Sequence, residues 1–474
     1  MDRTQAFDPN RTQIGAAPQA GDPGRTVAMP ALDANRTRMM DPLAGFDPNK
    51  TAMTGMSGNG LLPGISVQII PGREAAMANG PVREQWLLEI AAGGGGPVGI
   101  SASVGQRTPL NLCLVIDRSG SMEGAPLEYV KQACAFVVDM LGPDDVLSIV
   151  TFEESVDVLM PPQRVTSKEP IKAGIARLMP GNTTNLYDGL ALGLQQVLQL
   201  NDPGRAPRMV VLTDGDPTAG IKDFSALTTH AGEIRKRGVT VTFLGFGPDY
   251  NEELLAGMAK RAGGNYHYIA QPQMIPDVFR TELDKAMSVG YRDVKLALKP
   301  ARWTELRAPQ NAKEGQEIVI PLADLERGTT MTQVIDMEFK NHPLGWYRVA
   351  AGRLTYDDLA EGGQKTVDID LVIEFTSEAS KYGAPQDSRV SGAAQVALAS
   401  KQVEKTVMGL KTGMLTQAMA VQELQKTQML LTSEGRLTEA REVTMALQAL
   451  QMGDAGSAEK TLMGTAISME QGKR

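Results

Sequence analysis

The sequence has few of the residues that build disulfide frameworks, zinc sites and nucleic-acid interfaces. It contains two cysteines, Cys113 and Cys134, and three histidines among 474 residues, which excludes a small secreted fold held by disulfides. Aromatic residues make up 5% of the chain and the formal net charge is −8, so bulk charge does not favour nucleic acid or an anionic membrane. There is no apolar run long enough to span a membrane and no basic-then-apolar leader pattern. We therefore expect a cytoplasmic protein that binds neither nucleic acid nor a membrane.

The rest of the composition is typical of folded domains. The chain has 42% hydrophobic and 22% charged residues, as globular proteins do, and its length suits about three domains. The composition and the hydrophobic pattern of the sequence change along the chain. They predict a polar tail over 1–60, a β segment over 61–108, alternating strands and helices over 109–290, a second β segment over 291–376, and a helical region over 377–474.

The alternation of strands and helices over 109–290 predicts an α/β fold class with a doubly wound, mostly parallel, Rossmann-like sheet. The β segment before it is too small to bury a face by itself. We therefore expect both β segments to form one β-sandwich into which the α/β domain is inserted. The helical C-terminal region should form a bundle or hairpin. Its methionines are expected in the helix core, namely Met408, Met414, Met419, Met429, Met445 and Met452.

The polar tail contains a short sequence motif that is repeated. Asp-Pro-Asn-Arg-Thr at 8–12 recurs with changes at 22–26, 33–37 and 47–51. Three interpretations stay open. The tail is a low-complexity linker, or the unmodified repeats dock a partner multivalently, or a serine/threonine kinase phosphorylates them and a forkhead-associated domain binds the phosphothreonines through arginines. The acceptors in the last case would be Thr12, Thr26, Thr37 and Thr51.

Three loops of the α/β segment carry polar residues beside strands and helices. The first follows the apolar strand at 110–116, the second precedes a helix that begins near 187, and the third follows an apolar run that ends at 213. Because ligands bind outside the carboxyl ends of strands in open α/β sheets, we expect these loops at one edge. Their donors are all oxygens, namely Asp117, Ser119, Ser121, Thr184 and Asp214. Such a set suits Mg²⁺, with Mn²⁺ or Ca²⁺ as alternatives, and not zinc.

The three loops together resemble a known family. Asp-x-Ser-x-Ser at 117–121, Gly-x-x-Thr-Asn-Leu at 181–186 and Leu-Thr-Asp-Gly at 212–215 are similar to the von Willebrand factor type A domain with a metal-ion-dependent adhesion site. The resemblance implies that the two serines and Thr184 contact the metal directly or through water, and that both aspartates act mostly through water. It also implies that a carboxylate of a protein partner completes the coordination. Bacterial proteins of this kind have flanking β segments that pair into a sandwich.

The function predicted from the sequence is a non-catalytic protein-interaction module that binds a partner's Asp or Glu carboxylate through Mg²⁺. Hydrolysis would need a general base near the metal, and the three histidines, His230, His267 and His342, are scattered along the chain. The alternative is an accessory subunit of an ATPase-coupled, chelatase-like complex, since some family members are partners of ATPases and this chain has no ATPase phosphate loop of its own. A weaker alternative is surface adhesion.

Overall fold

The computed structural model describes residues 64–93, 107–200, 202–214, 216–247, 250–307 and 309–473. The repeats with Thr12, Thr26, Thr37 and Thr51 lie outside these residues, as does a strand that the sequence predicts over 98–104. No helix in the described ranges is both long enough and apolar enough to cross a membrane.

The described chain alternates between β segments, an α/β segment and helices. In chain order its strands are β1 (Ile65–Pro71), β2 (Ala75–Met77), β3 (Val82–Ala92), β4 (Leu110–Asp117), β5 (Val146–Phe152), β6 (Val156–Arg164), β7 (Ala206–Thr213), β8 (Thr240–Phe246), β9 (Gly263–Ile269), β10 (Val289–Pro300), β11 (Thr304–Leu306), β12 (Ile318–Pro321), β13 (Leu325–Glu326), β14 (Thr330–Phe339), β15 (Gly345–Asp358) and β16 (Gln364–Thr376). Its helices are α1 (Ala125–Met140), α2 (Lys168–Ala176), α3 (Leu186–Leu198), α4 (Phe224–Lys236), α5 (Glu252–Ala262), α6 (Ile275–Ser288), α7 (Ala379–Tyr382), α8 (Ser388–Lys411), α9 (Gln417–Ser433), α10 (Leu437–Gln451) and α11 (Ala455–Glu470).

Strands β4 to β9 form one sheet in the order β6-β5-β4-β7-β8-β9, and every neighbouring pair is parallel except β5 and β6. Every residue of the central strand β4 is buried, as its apolar sequence predicts for a strand covered on both faces. One face packs against α1, α2 and α6 and the other against α3, α4 and α5. The fold class predicted from the sequence is therefore confirmed.

The β segments on either side of this sheet pair with each other. Strand β3, which precedes the α/β segment, runs antiparallel to β14, which follows it, and β2 pairs with β16. The two sheets, β1-β3-β14-β11 and β12-β10-β15-β16-β2 with β13 beside β10, enclose one core that contains Trp86, Phe339 and Phe375. The α/β segment is thus inserted in a sandwich. Helix α6 continues directly into β10, so at this junction the α/β domain leads into the sandwich without a loop.

The helical region is a set of packed helices attached to both other units. Helices α8 to α11 share a core of aliphatic residues. Val390 of α8 packs on Leu87 of the sandwich, while Ile467 of α11 packs against the α/β domain. The sequence over 390–431 shows few helix breakers, yet the chain turns between α8 and α9, where Gly413 has a φ of 69°. The exact domain limits at 60, 108, 290 and 376 stay predictions.

The six methionines that the sequence predicts in the core of this region lie on its surface instead, so that prediction is wrong. All six predicted core methionines are between 51% and 86% exposed. The helix core consists mainly of Val, Leu and Ala residues, among them Val403, Leu424 and Val443, together with Met469 of α11. Small and branched side chains allow the helices to approach closely, which leaves the longer methionine side chains on the outer faces.

Candidate metal centre

The five predicted donors come from three loops at the carboxyl edge of the α/β sheet. Asp117 is the last residue of β4, and Ser119 and Ser121 lie in the short turn that leads to α1. Thr184 precedes α3, and Asp214 follows β7, the neighbour of β4. The strand order explains the meeting of these loops, because the ends of two adjacent parallel strands must lie side by side.

Four of the five donors form a continuous chain of hydrogen bonds. The backbone N–H of Ser119 donates to Asp117 Oδ1 at 2.8 Å. The hydroxyl oxygens of Ser119 and Ser121 are 3.1 Å apart, and Ser121 Oγ donates to Asp214 Oδ1 at 2.8 Å. Ser121 is exposed, whereas Asp117 and Ser119 are buried. The chain of hydrogen bonds therefore runs from a buried carboxylate to a residue that is exposed to solvent.

The fifth donor, Thr184, is brought to the same edge by its backbone. Asn182 O accepts from the N–H of Gly120 at 3.2 Å, which ties the second loop to the first. The N–H of Thr184 donates to Thr218 Oγ1 at 2.8 Å, and Thr184 O accepts from the N–H of Thr218 at 3.0 Å. Within the described residues, the Thr184 side chain has no hydrogen bond to the other four donors. The neighbouring Thr183 Oγ1 is buried and has no hydrogen-bond partner there either.

Asp117 is a buried carboxylate that has no basic partner among the described residues. Its side chain is fully covered, and burial raises its pKa to about 6, against the lowering effect of hydrogen bonds from Thr213 and Ser119 and with a small further rise from Asp214. No ion pair among the described residues involves Asp117. The nearest basic residue in its loop, Arg118, points to Glu153 and Asp157 instead, at 3.3 and 3.1 Å. A cation at this edge would supply the missing countercharge.

The chemistry of the donors fits a hard cation. The described part of the chain contains no cluster of three or more His, Cys, Asp or Glu side chains suited to a metal. A metal at this edge would therefore depend on hydroxyl oxygens beside the two carboxylates, which is compatible with Mg²⁺ and unlike a typical zinc site.

Several residues that organise the three loops are not among the five predicted donors. Thr213 Oγ1 donates to Asp117 Oδ2 at 2.6 Å, and Asp216 Oδ1 accepts from the N–H of Asn251 at 2.6 Å, which ties the third loop to the start of α5. Glu153 O accepts from the N–H of Asn185 at 2.9 Å. Thr213 and Glu153 stand at strand ends of the same sheet, so the rule that found Asp117 could have found them as well.

A glycine allows the third loop to approach α3. Gly220 has a φ of 66°, and a Cβ at this position would lie 2.2 Å from Asn185 Oδ1. Asn185 accepts from the N–H of Asp188 and thereby caps α3. Any larger residue at 220 would displace this cap and move the loop that carries Thr184.

The cysteines and histidines lie away from the three loops. Cys113 and Cys134 are small buried side chains, and burial raises the pKa of their thiols to about 12. His342 is enclosed by aromatic rings and stacks on Phe375 at 4.2 Å. His230 packs on Tyr187, and His267 lies 2.9 Å from Glu282. None of the three histidines contacts the five donors within the described residues.

A doubly wound sheet with aspartates and hydroxyls at its carboxyl edge defines a Rossmann-like domain with a candidate cation site. Residues 111–281 match the sequence profile of the von Willebrand factor type A domain. Across 82% of this chain and 91% of the other, the fold is similar to that of a von Willebrand factor type A protein from Catenulispora acidiphila, with a TM-score of 0.64 and 18% identity. Residues 111–281 are therefore a von Willebrand factor type A domain.

Two bacterial relatives have similar sequences. The uncharacterised protein sll0103 of Synechocystis is 30% identical over 271 residues, which are 54% of this chain and 64% of the relative. The uncharacterised protein YfbK of Escherichia coli is 32% identical over 201 residues, which are 42% of this chain and 35% of the relative. The chain thus spans less than two thirds of either relative.

Proposed function

We propose that the carboxyl edge of the sheet holds a divalent cation, Mg²⁺ by preference, through which the protein binds a carboxylate of a protein partner. Asp117, Ser119, Ser121, Thr184 and Asp214 would hold the ion. The observation that carries the proposal is the buried, uncompensated carboxylate of Asp117 at the inner end of a chain of oxygen donors that reaches solvent at Ser121.

The proposed role is non-catalytic. When bound, the ion would offer a coordination position to an Asp or Glu side chain of the partner. The chain's own residues would position the loops: Thr213 and Ser119 orient the Asp117 carboxylate, and Thr218 holds the loop of Thr184. The predicted cytoplasmic location is part of the proposal.

Calorimetric titration of Mg²⁺ into the full chain tests the cation site. We expect saturable binding that Asp117→Ala abolishes, because the variant removes half of the site's negative charge. Asp144→Ala is the matched control, since this aspartate belongs to the same domain and its side chain is 73% exposed. Unchanged affinity in Asp117→Ala would show that the cation binds elsewhere or not at all.

Affinity capture with the full chain tests the carboxylate-bearing partner. A partner identified by mass spectrometry should be retained in Mg²⁺ and lost in EDTA or with Asp117→Ala, and substitution of one acidic residue of the partner should reproduce the loss. Capture of an ATPase that depends on ATP and persists in Asp117→Ala would favour the chelatase-like alternative instead.

We further propose that a serine/threonine kinase phosphorylates the N-terminal repeats at Thr12, Thr26, Thr37 and Thr51, and that a forkhead-associated domain binds the products. The repeated Asp, basic residue and Thr in register support this proposal, since each phosphate adds about 1.5 to 2 negative charges and three strong acceptors. Phosphopeptide mapping after incubation with the kinase tests it. Phosphate confined to residues outside the repeats would contradict it.

A further inference from the structure

The helical region contacts the carboxyl edge of the α/β sheet through a buried lysine. Lys460 of α11 is 5% exposed. Its Nζ lies 4.4 Å from the centre of the Tyr250 ring and 5.6 Å from that of the Tyr268 ring, and it donates to Gly247 O at 3.4 Å. Lysine is rarely buried to this extent unless its charge is compensated, and two aromatic faces and a carbonyl oxygen contribute to that compensation here. These contacts form one joint, the Lys460 joint, between α11 and the segment that leads from β8 to α5.

The two tyrosines of this joint are themselves fixed by hydrogen bonds and packing. The hydroxyl oxygens of Tyr250 and Tyr266 lie 2.8 Å apart, and the Tyr268 hydroxyl oxygen lies 3.0 Å from Ser457 Oγ of α11. The Tyr250 ring also packs directly on β8, since a Cβ at Gly245 would lie 2.5 Å from the ring. Tyr250 is therefore held from two sides, by the sheet and by α11.

The residue after Tyr250 connects the joint to the metal loops. The side chain of Asn251 caps α5, while its backbone N–H donates to Asp216 Oδ1 at 2.6 Å. Asp216 lies two residues after the predicted ligand Asp214, in the third metal loop. The joint is therefore one residue along the chain from a direct contact with that loop.

Helix α5 has further attachments to the helical region. Nζ of Lys411, the last residue of α8, lies 2.5 Å from Glu252 Oε1 and 3.0 Å from Glu253 Oε1 in the first turn of α5. Near the other end of α5, Lys260 Nζ lies 2.6 Å from Glu470 Oε2 of α11. Helix α5, and with it the segment that precedes it, is therefore held by the helical region as well as by the sheet.

We propose that Lys460 is a positioning residue of the cation site, a role that rests on the function proposed above. By holding the segment before α5, Lys460 keeps Asn251 in place to bind Asp216, which keeps the third loop in the geometry that holds the ion. Loss of a group that orients metal ligands lowers the metal affinity even where that group does not touch the ion. Because coupling between two sites is reciprocal, cation binding should in turn strengthen the contact of α11 with the α/β domain.

Calorimetric titration of Mg²⁺ into variants of the full chain tests this role. Lys460→Met keeps an unbranched apolar side chain and removes the ammonium group. It should weaken Mg²⁺ binding about fivefold, less than loss of a group that contacts a ligand loop directly. Lys401→Met, at an exposed position of α8, is the matched control and should leave the affinity unchanged. Circular dichroism and urea denaturation check that both variants fold.

A double variant distinguishes positioning through Asp216 from a general loosening of the fold. If Lys460 acts through Asp216, Lys460→Met/Asp216→Ala should bind Mg²⁺ no more weakly than Asp216→Ala alone, because the two residues then belong to one coupled unit. Losses that multiply in the double variant, or an unchanged affinity in Lys460→Met, would overturn the positioning role.

Amide hydrogen exchange of the Asn251 N–H in EDTA separates a failure of this role from a failure of the cation site. Lys460→Met should speed the exchange several-fold, because the contact with Asp216 then opens more easily, whereas Lys401→Met should not. Faster exchange in Lys460→Met, together with no Mg²⁺ binding by the unmodified chain, would overturn the cation site. Unchanged exchange, together with Mg²⁺ binding by the unmodified chain, would overturn only the role of Lys460.

Discussion

Two buried aspartates at opposite ends of the α/β sheet carry their charges in contrasting surroundings. Asp117 lies at the carboxyl end of β4 with no basic partner, and burial raises its pKa to about 6. Asp324 lies at the amino end, where Arg208 and Arg235 are 2.7 and 3.1 Å away. Burial would raise the pKa of Asp324 too, but the two arginines outweigh it and hold the pKa far below its ordinary value.

The difference shows how one sheet serves two purposes. Strand β7 carries Arg208 near its first residue and Thr213 at its last, so the same strand contributes to both ends. At the amino end the charges are neutralised within the chain and join the sandwich to the α/β domain, because Asp324 belongs to the sandwich segment. At the carboxyl end the Asp117 carboxylate has no basic partner among the described residues, and we propose that a cation from outside compensates its charge. We expect the first arrangement to stabilise the protein and the second to serve the proposed cation binding.

The largest expected effect on stability comes from a substitution at the amino end of the α/β sheet. Asp324→Asn should lower the free energy of unfolding by about 3–5 kcal/mol, because two buried guanidinium groups lose their anion. Folding lowers the pKa of Asp324, so its contribution is fully present above the ordinary value of about 4 and should decline as the pH falls below it. Urea denaturation at several pH values measures both effects.

The matched control for this variant is an exposed pair in the sandwich. Asp368 lies 2.9 Å from Arg353 but its side chain is 76% exposed, so Asp368→Asn should cost less than about 1 kcal/mol. If Asp324→Asn cost no more than Asp368→Asn, the arginine cluster would not be a stabilising joint between the two units.

An Asp→Asn substitution at the carboxyl end, Asp117→Asn, should change the free energy of unfolding in the opposite direction. The rise in the pKa of Asp117 from 3.8 to about 6 corresponds to about 3 kcal/mol against the charged form. Asp117→Asn removes that charge and keeps one acceptor, so in EDTA it should raise the free energy of unfolding by about 1–2 kcal/mol. Stabilisation by Mg²⁺ should disappear in the variant. A loss of stability in EDTA would show that the charge of Asp117 is compensated within the chain.

A smaller effect is expected from the anchor of the third loop. Asp216→Ala removes the acceptor of the Asn251 N–H and should weaken Mg²⁺ binding about tenfold, as loss of a group that orients a metal ligand commonly does. Glu123→Ala is the control, because it removes an exposed charge from the same edge without a loop contact. Equal losses in both variants, measured by calorimetry, would mean that Asp216 acts only through its charge.

The carboxyl end was largely predictable from the sequence and the amino end was not. Asp117, Ser119 and Asp214 follow apolar strands within a few residues, so local pattern and the strand-end rule suffice to bring them together. Asp324, Arg208 and Arg235 come from different segments, and their meeting depends on how the sandwich docks on the α/β domain. No local pattern encodes that docking.

The strands show the same division between local and long-range information. The run Thr366 to Phe375 alternates and predicts a strand that the structure has as β16. The sequence does not predict strand β6, because it is an edge strand with mostly exposed residues and two prolines, Pro161 and Pro162. Exposure removes the apolar alternation on which such a prediction depends.

The smallest expected effects come from replacing one threonine by valine at each end of the α/β sheet. Thr213 Oγ1 donates to Asp117 at 2.6 Å, and Thr240 Oγ1 donates to Asp324 at 3.0 Å. In EDTA, Thr213→Val should cost about 1 kcal/mol, because Asp117 has few other donors, whereas Thr240→Val should cost about 0.5 kcal/mol, because both arginines remain. Saturating Mg²⁺ should reduce the difference between the two costs, since the ion would then also stabilise the Asp117 carboxylate. Equal costs in EDTA, measured by urea denaturation, would show that Asp117 does not depend on its hydrogen-bond donors more than Asp324 does.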